Sequence, residues 1–122
     1  MEQSMAHEEF TKALKATDEI ELTVTGRKSG RKTSRPVWFV QDGAMLYLLP
    51  VTGSNSAWYK NALQNPTIAL ATKGARRTAK ATPLMDAAAV RDIVEKFRAK
   101  YGVGEVKKYY SKFDVAVAVS LA

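Results

Sequence analysis

The sequence predicts an α+β chain built on a small antiparallel barrel of about six strands, with helices inserted between them. Three observations lead there. Segments with the two-residue period of half-buried strands follow one another across hairpin turns. The helical stretches fall between groups of strands, whereas a doubly wound sheet would need one after each strand. A length of 122 residues is enough to bury one core but not two. The expected division is an N-terminal helical segment, residues 1–18, and the barrel, residues 19–122, in a single domain overall.

Residues 5–17 are polar with Phe10, Ala13 and Leu14 toward one side, the pattern of a short amphipathic helix. Ile20, Leu22 and Val24 alternate with Glu19, Glu21, Thr23 and Thr25, a strand with one buried face. Residues 26–35 read as a loop. Pro36 then extends the chain into the β-formers Val37, Trp38, Phe39 and Val40, and Gln41-Asp42-Gly43 is a hairpin turn before a strand at 44–50. Thr52-Gly53-Ser54-Asn55 offers N-cap residues for a helix of about two turns carrying Ala57, Trp58, Asn61 and Ala62, which Asn65-Pro66 stops. A second hairpin, 67–73 and 76–84, turns at Gly74-Ala75. Asp86 caps a helix whose stripe Val90, Ile93, Val94, Phe97 and Tyr101 has the spacing of a core face, and Gly102 ends it. Residues 105–111 form a short helical turn bearing Tyr109 and Tyr110. Residues 114–121 close as an apolar strand, suited equally to the core or to contact with a second copy.

The formal charge of +7 is uneven: residues 1–25 hold six acids against Lys12 and Lys15, a net −4, which leaves +11 for the remainder. Such an excess favours an acidic partner, whether an anionic cofactor, a nucleic acid or a membrane surface. With no cysteine there is no thiolate nucleophile, disulfide or zinc ribbon, and the only histidine, His7, sits in the acidic N-terminal stretch. Metal catalysis and Ser-His-Asp hydrolysis are therefore not expected. Neither a signal-peptide core nor a run long enough to span a membrane is visible, so a cytoplasmic location is expected.

The most informative stretch is the segment 26–35. Arg27, Lys28, Arg31, Lys32 and Arg35 place five cations and no acid between two strands, with Gly26 and Gly30 allowing close backbone approach. Long, donor-rich cations in that density suit phosphate or carboxylate oxygens. Lys73, Arg76, Arg77 and Lys80 add to the positive field from the second hairpin.

The strand ending at Thr25, followed by Gly26-Arg27-Lys28-Ser29-Gly30 and Pro36-Val37-Trp38-Phe39, resembles the deazaflavin (coenzyme F420)-dependent nitroreductase family. A second stretch, Asn55-Ser56-Ala57-Trp58-Tyr59-Lys60-Asn61-Ala62-Leu63-Gln64-Asn65-Pro66, is similar to that family's Asn-Pro-x-Trp-Tyr-x-Asn-Leu-x-x-Asn-Pro motif. Two ordered motifs covering roughly residues 19–70 are more specific than either alone. The chain departs from the pattern at Thr33, where an arginine often stands and Arg35 follows two positions later. It departs again at the shorter connection 50–54 and at Ser56 in place of proline.

The resemblance implies a split β-barrel of the FMN-binding type that holds coenzyme F420, with FMN as the alternative. The implied activity is hydride transfer from the reduced deazaflavin to a small electrophile such as a quinone, a nitro compound or an activated alkene. By resemblance Arg27, Lys28 and Ser29 meet the cofactor's phosphate and acidic tail, with Arg31 and Arg35 in the same basic segment. Pro36 and Trp38 line the ring, while Asn55, Ser56, Ala57, Trp58 and Asn61 hold it from the helix. Tyr109 and Tyr110 are the candidate catalytic residues. The expected partner is a small-molecule substrate and no nucleic acid, and the oligomeric state stays open between a single chain and a homodimer. Two other readings stay open: a non-catalytic carrier of F420, FMN or a lipid, and a basic nucleic-acid-binding barrel, although Trp38, Phe39, Tyr47 and Trp58 form no repeated platform among the cations.

Overall fold

A computed structural model describes the backbone of residues 2–121 and the side chains of residues 9–121, so the side chain of His7 lies outside the described residues. Helix α1 (Glu2–Lys15) leads into an antiparallel meander of β1 (Glu19–Thr25), β2 (Lys32–Asp42) and β3 (Met45–Leu48). Helix α2 (Ala57–Gln64) precedes the hairpin of β4 (Thr67–Thr72) and β5 (Ala75–Leu84). Helices α3 (Ala87–Tyr101) and α4 (Val103–Tyr109) precede β6 (Ala116–Ser120). The strands close in the order β1-β2-β3-β6-β5-β4, with every neighbouring pair antiparallel. The expected antiparallel α+β barrel is the observed one.

The barrel is split because two long strands change partners. Residues 32–38 of β2 pair with β1, and residues 39–42 pair with β3. Strand β5 does the same, pairing with β4 through Lys80 and with β6 from Ala81. The two half-sheets share the barrel interior, and the one formed with β3 and β6 also carries an apolar outer face. Inside the barrel Leu22, Leu46, Leu48, Leu70, Val117 and Val119 meet Phe10 and Leu14 of α1 and Trp58 and Tyr59 of α2. Outside it, Val90, Ile93, Val94 and Phe97 of α3 cover Val40, Leu49 and Ala116. Burying a side chain such as Phe97 stabilises by about 1.5–3 kcal/mol, so these two clusters carry most of the driving force. The stripe expected on α3 faces that outer cluster, and Asp86 caps the helix by accepting from Ala89 N–H (3.0 Å).

Several sequence expectations need correction. The basic loop is shorter than read: it spans residues 26–31, and residues 32–35 continue the ladder with β1 from Thr25↔Lys32 to Leu22↔Arg35. Charge density favoured a loop there, but pairing with β1 satisfies the backbone whatever the side chains are. The N-cap of α2 is Ser56, without a side-chain cap, because Gly53–Asn55 form a 3₁₀ turn of their own. The β4–β5 turn centres on Lys73 (φ 46°) and Gly74 (φ 81°), the left-handed pair that a two-residue hairpin turn requires. Residues 115–119 are buried and β6 uses both edges within this chain, on β3 and β5. Of core and interface, the core takes the last strand. No helix among the described residues is long and apolar enough to cross a membrane.

Candidate cofactor-binding site

Where β2 changes partners, a cavity of about 560 Å³ opens between that strand, the start of α2 and the end of α4. Strand β2 contributes Arg35, Pro36, Val37 and Trp38. The rest of the lining comes from Leu49, Val51, Thr52, Ser56, Ala57 and Trp58, with Tyr109 and Tyr110, which pack against Trp38. Glu19 stands at the rim, since the hairpin register places it directly across from Trp38.

Arg35 faces Leu22 across the β1–β2 ladder, so it starts on the core side of the sheet, yet it is exposed. Because β3 pairs only from residue 39 onward, this part of β2 has no strand on its other edge, and the guanidinium meets the cavity in place of packed side chains. A long cation at an aqueous rim keeps its hydration and can still reach an anionic group inside.

Trp38 is the centre of an aromatic cluster. Its indole stacks on Tyr101 (centroids 4.2 Å apart, planes 7° apart), meets Tyr109 edge-on (5.4 Å, 78°) and is tilted against Tyr110 (5.9 Å). The Tyr101 hydroxyl accepts from Phe39 N–H (3.0 Å) and lies 2.7 Å from the Asp18 carbonyl and 2.8 Å from that of Phe39, to either of which it can donate. Burial pushes its pKa up to about 12. Lys100 Nζ donates to the same Phe39 carbonyl (2.7 Å) and sits 3.6 Å over the Phe39 ring, and desolvation lowers its pKa. One face of Trp38 is thus fixed from behind by α3, and the residue also lines the cavity.

Tyr109 and Tyr110 differ. Tyr109 is 49% exposed and Tyr110 only 6%, the latter packed against Phe97 and Phe113 while lining the cavity. Burial raises the Tyr110 pKa strongly, so this phenol stays protonated.

The basic turn lies beside this cavity without lining it. Gly26 N–H donates to Arg31 O (2.7 Å), Gly30 N–H to Gly26 O (3.0 Å), and Ser29 Oγ accepts from Arg31 N–H (3.2 Å). The Ser29 hydroxyl therefore serves the turn itself. Arg27 is turned to α2: its N–H (3.1 Å) and Nη1 (2.7 Å) both donate to Asn61 Oδ1. Asn61 thus anchors the turn, and it stands one helical turn beyond Ala57, on the same side of α2. Asn65 Nδ2 adds a bond to Thr25 O (3.4 Å) at the helix end. Lys28 and Arg31 remain exposed, and Asn55 lies exposed in the 3₁₀ turn.

Of the residues singled out from the sequence, Arg35, Pro36, Trp38, Ser56, Ala57, Trp58, Tyr109 and Tyr110 meet around one cavity, while Arg27, Lys28, Ser29, Arg31, Asn55 and Asn61 do not line it. Sequence reasoning missed Glu19, which counting the hairpin register outward from the turn would have placed. It also missed Tyr101, whose position at the end of an apolar stripe hid its hydroxyl. Val51 carries no signal in the sequence, and Thr52 stands out there only as a candidate N-cap.

The fold and cavity define an antiparallel split barrel with a ligand-sized cleft at the strand that joins its two half-sheets. Within that class the chain belongs to the family described as "Uncharacterized protein conserved in bacteria (DUF2255)", which matches residues 11–119. The likeness to F420-dependent enzymes that the motifs suggest is supported at the level of the shared split barrel. Among solved structures, the chain is similar to an F420-H2-dependent reductase (FDR-A), at 18% identity and TM-score 0.64, over 84% of this chain and 94% of that one. It is also similar to a candidate pyridoxamine 5'-phosphate oxidase from Listeria innocua, at 15% identity and TM-score 0.68, over 93% and 90% of the two chains. A third similar structure is the heme storage protein HutZ from Vibrio cholerae, at 12% identity and TM-score 0.69, over 93% and 87%. Identities this low establish the shared fold.

Proposed function

We propose that this protein is an F420-dependent reductase acting on a small electrophile such as a quinone, a nitro compound or an activated alkene. The observation that carries the reading is the meeting of two motifs distant in sequence, Arg35-Pro36-Val37-Trp38 and Ser56-Ala57-Trp58, around one cavity that Tyr109 and Tyr110 also line. The similarity in fold to an F420-H2-dependent reductase agrees with it.

The residues fit a planar, anionic cofactor. Trp38, Val37, Ala57 and Trp58 offer apolar walls for a ring, and Ser56 supplies a hydroxyl at the head of α2, where the first backbone amides have no partner within the helix. Arg35 is the cation inside the cleft, and Lys28 and Arg31 lie on the turn that Asn61 anchors beside it, in reach of an extended acidic tail. When bound, reduced F420 supplies the hydride, so the chain needs no nucleophile of its own. What it provides is orientation and exclusion of water. Tyr110, kept protonated by burial, donates a hydrogen bond to a substrate oxygen rather than releasing a proton. The more exposed Tyr109 stands where a proton can be returned from solvent.

Titration with F420 and, separately, with FMN tests this reading, followed by oxidation of reduced F420 in the presence of a quinone. F420 is expected to bind at least about tenfold more tightly than FMN and the quinone to be reduced. Preference for FMN would move the assignment to flavin chemistry. Binding of neither would remove the oxidoreductase reading, and F420 binding without turnover would leave a carrier.

A further inference from the structure

We infer that Asp114 is a positioning residue for the cavity: its carboxylate ties the turn before α2 to the segment after α4, and so sets the spacing of two walls. The ligand in this inference is the cofactor proposed above, on which it rests.

The wall that carries Val51, Thr52, Ser56 and Ala57 depends on residues 50–56, which lie in no strand and hold one 3₁₀ turn. Such a stretch is not held by a ladder, and its place is set by its own turn bonds and by a few bonds to residues 111–114. Asp114 Oδ1 accepts from Ser54 N–H (2.9 Å), and Oδ2 accepts from the Ser54 hydroxyl. Lys112 Nζ lies 3.5 Å from Oδ2 and 3.4 Å from Ser54 Oγ, which balances the carboxylate. From the same segment Ser111 donates twice to the Val51 carbonyl, through N–H (2.9 Å) and Oγ (3.3 Å). Ser111 follows Tyr110 directly, so these bonds hold the chain just after Tyr109 and Tyr110 to Val51 and Ser54.

Gly53 makes the approach possible. It is buried with φ +59°, and a Cβ at that position would overlap the Asp114 carboxylate. The other groups whose charge reaches Asp114 are Lys112 on its own segment and Tyr59 on α2. A wall held in place before the ligand arrives spares the ordering cost on binding, so release of the tie weakens affinity without removing any residue that touches the ligand.

The test compares wild type, Asp114→Ala, Asp114→Asn and Ser54→Ala by hydrogen exchange and by titration with F420 and FMN well below the melting temperature. In Asp114→Ala, the Ser54 amide is expected to exchange faster while β-strand amides do not, and the Kd of whichever cofactor binds wild type should rise about tenfold. Asp114→Asn keeps an oxygen for Ser54 N–H and should recover part of that loss. Ser54→Ala removes only the hydroxyl bond and should give a smaller rise, which decides the matter if Asp114→Ala does not fold. A Kd within about twofold of wild type in Asp114→Ala, or in Ser54→Ala should the former not fold, overturns the positioning role and leaves the cofactor reading intact. Wild type that binds neither F420 nor FMN overturns both, and the wild-type titration therefore tells the two failures apart.

Discussion

The basic turn at residues 26–31 and the aromatic wall around Trp38 sit at the two ends of one hairpin, and they are held by opposite means. The turn is a local object. Its bonds run among Gly26, Ser29, Gly30 and Arg31, with one anchor on Asn61, and its cations are mostly exposed. The wall is assembled from parts far apart in the chain, with Trp38 of β2 packed against Tyr101 of α3, Tyr109 of α4 and Tyr110. Charge concentrated in sequence marks where an anion can be attracted. A cleft able to hold a ring requires side chains that only the closed fold brings together.

The largest effect that would break this contrast is expected at the wall. Trp38→Ala removes the ring against which three tyrosines pack and should cost about 3 kcal/mol in urea denaturation, together with loss of cofactor binding. Stability close to wild type would show that the tyrosines hold one another without it. Tyr101→Phe comes next, at about 1–3 kcal/mol, because Phe39 N–H and the Asp18 carbonyl lose their partner. The pH dependence has a definite sign. The Tyr101 pKa is raised in the fold from 10.0 to about 12, so its protonated form is favoured by folding. That stability is complete below pH 10 and is lost as pH rises through 12, and the variant should lack that part of the alkaline loss in thermal melts.

At the turn the effects should be smaller and should divide between neighbours. Arg27→Ala and Asn61→Ala are each expected to cost about 1 kcal/mol of stability, and less than additively in the double variant, since they share one interaction. Lys28→Ala should leave stability within about 0.5 kcal/mol and act only on anion affinity, making its salt dependence shallower. Equal behaviour of Arg27 and Lys28 in both assays would erase the distinction between anchor and free cation. The smallest pH effect on stability is at Asp114, whose pKa is lowered first by the Ser54 hydroxyl bond. A lowered carboxylate contributes stability above its unfolded value of 3.8, and that contribution fades as pH falls below it. Acid melts of Asp114→Asn should lack this increment.

The fold was legible because its signals are local. Alternation in Ile20, Leu22 and Val24 gave a strand, the stripe from Val90 to Tyr101 gave a helix, and Asp86 and Gly102 marked its ends. Strand closure was readable only as a style of connection, because pairing between β3 and β6 joins residues some seventy positions apart and leaves no local trace. The site was readable in its motif-bearing parts. Arg35, Trp38, Ala57 and Trp58 stood out through their motifs, and both tyrosines through the resemblance. Glu19 was hidden in a strand's alternation and Asp114 in the approach to an apolar strand, since each gains its role from a partner elsewhere. The basic segment was over-read, because composition cannot tell a loop from a charged strand once a neighbouring strand supplies the ladder.

Strand β6 has a consequence for how this molecule comes to exist. It is the keystone between β3 and β5, and it follows both of them in the chain. During synthesis the earlier hairpins emerge with those edges bare, and the ring is completed only once residues 116–120 have left the ribosome. A pause or nick shortly before that point would leave two sticky strands exposed, so nascent chains arrested upstream of Ala116 are the ones that chaperones should be found guarding.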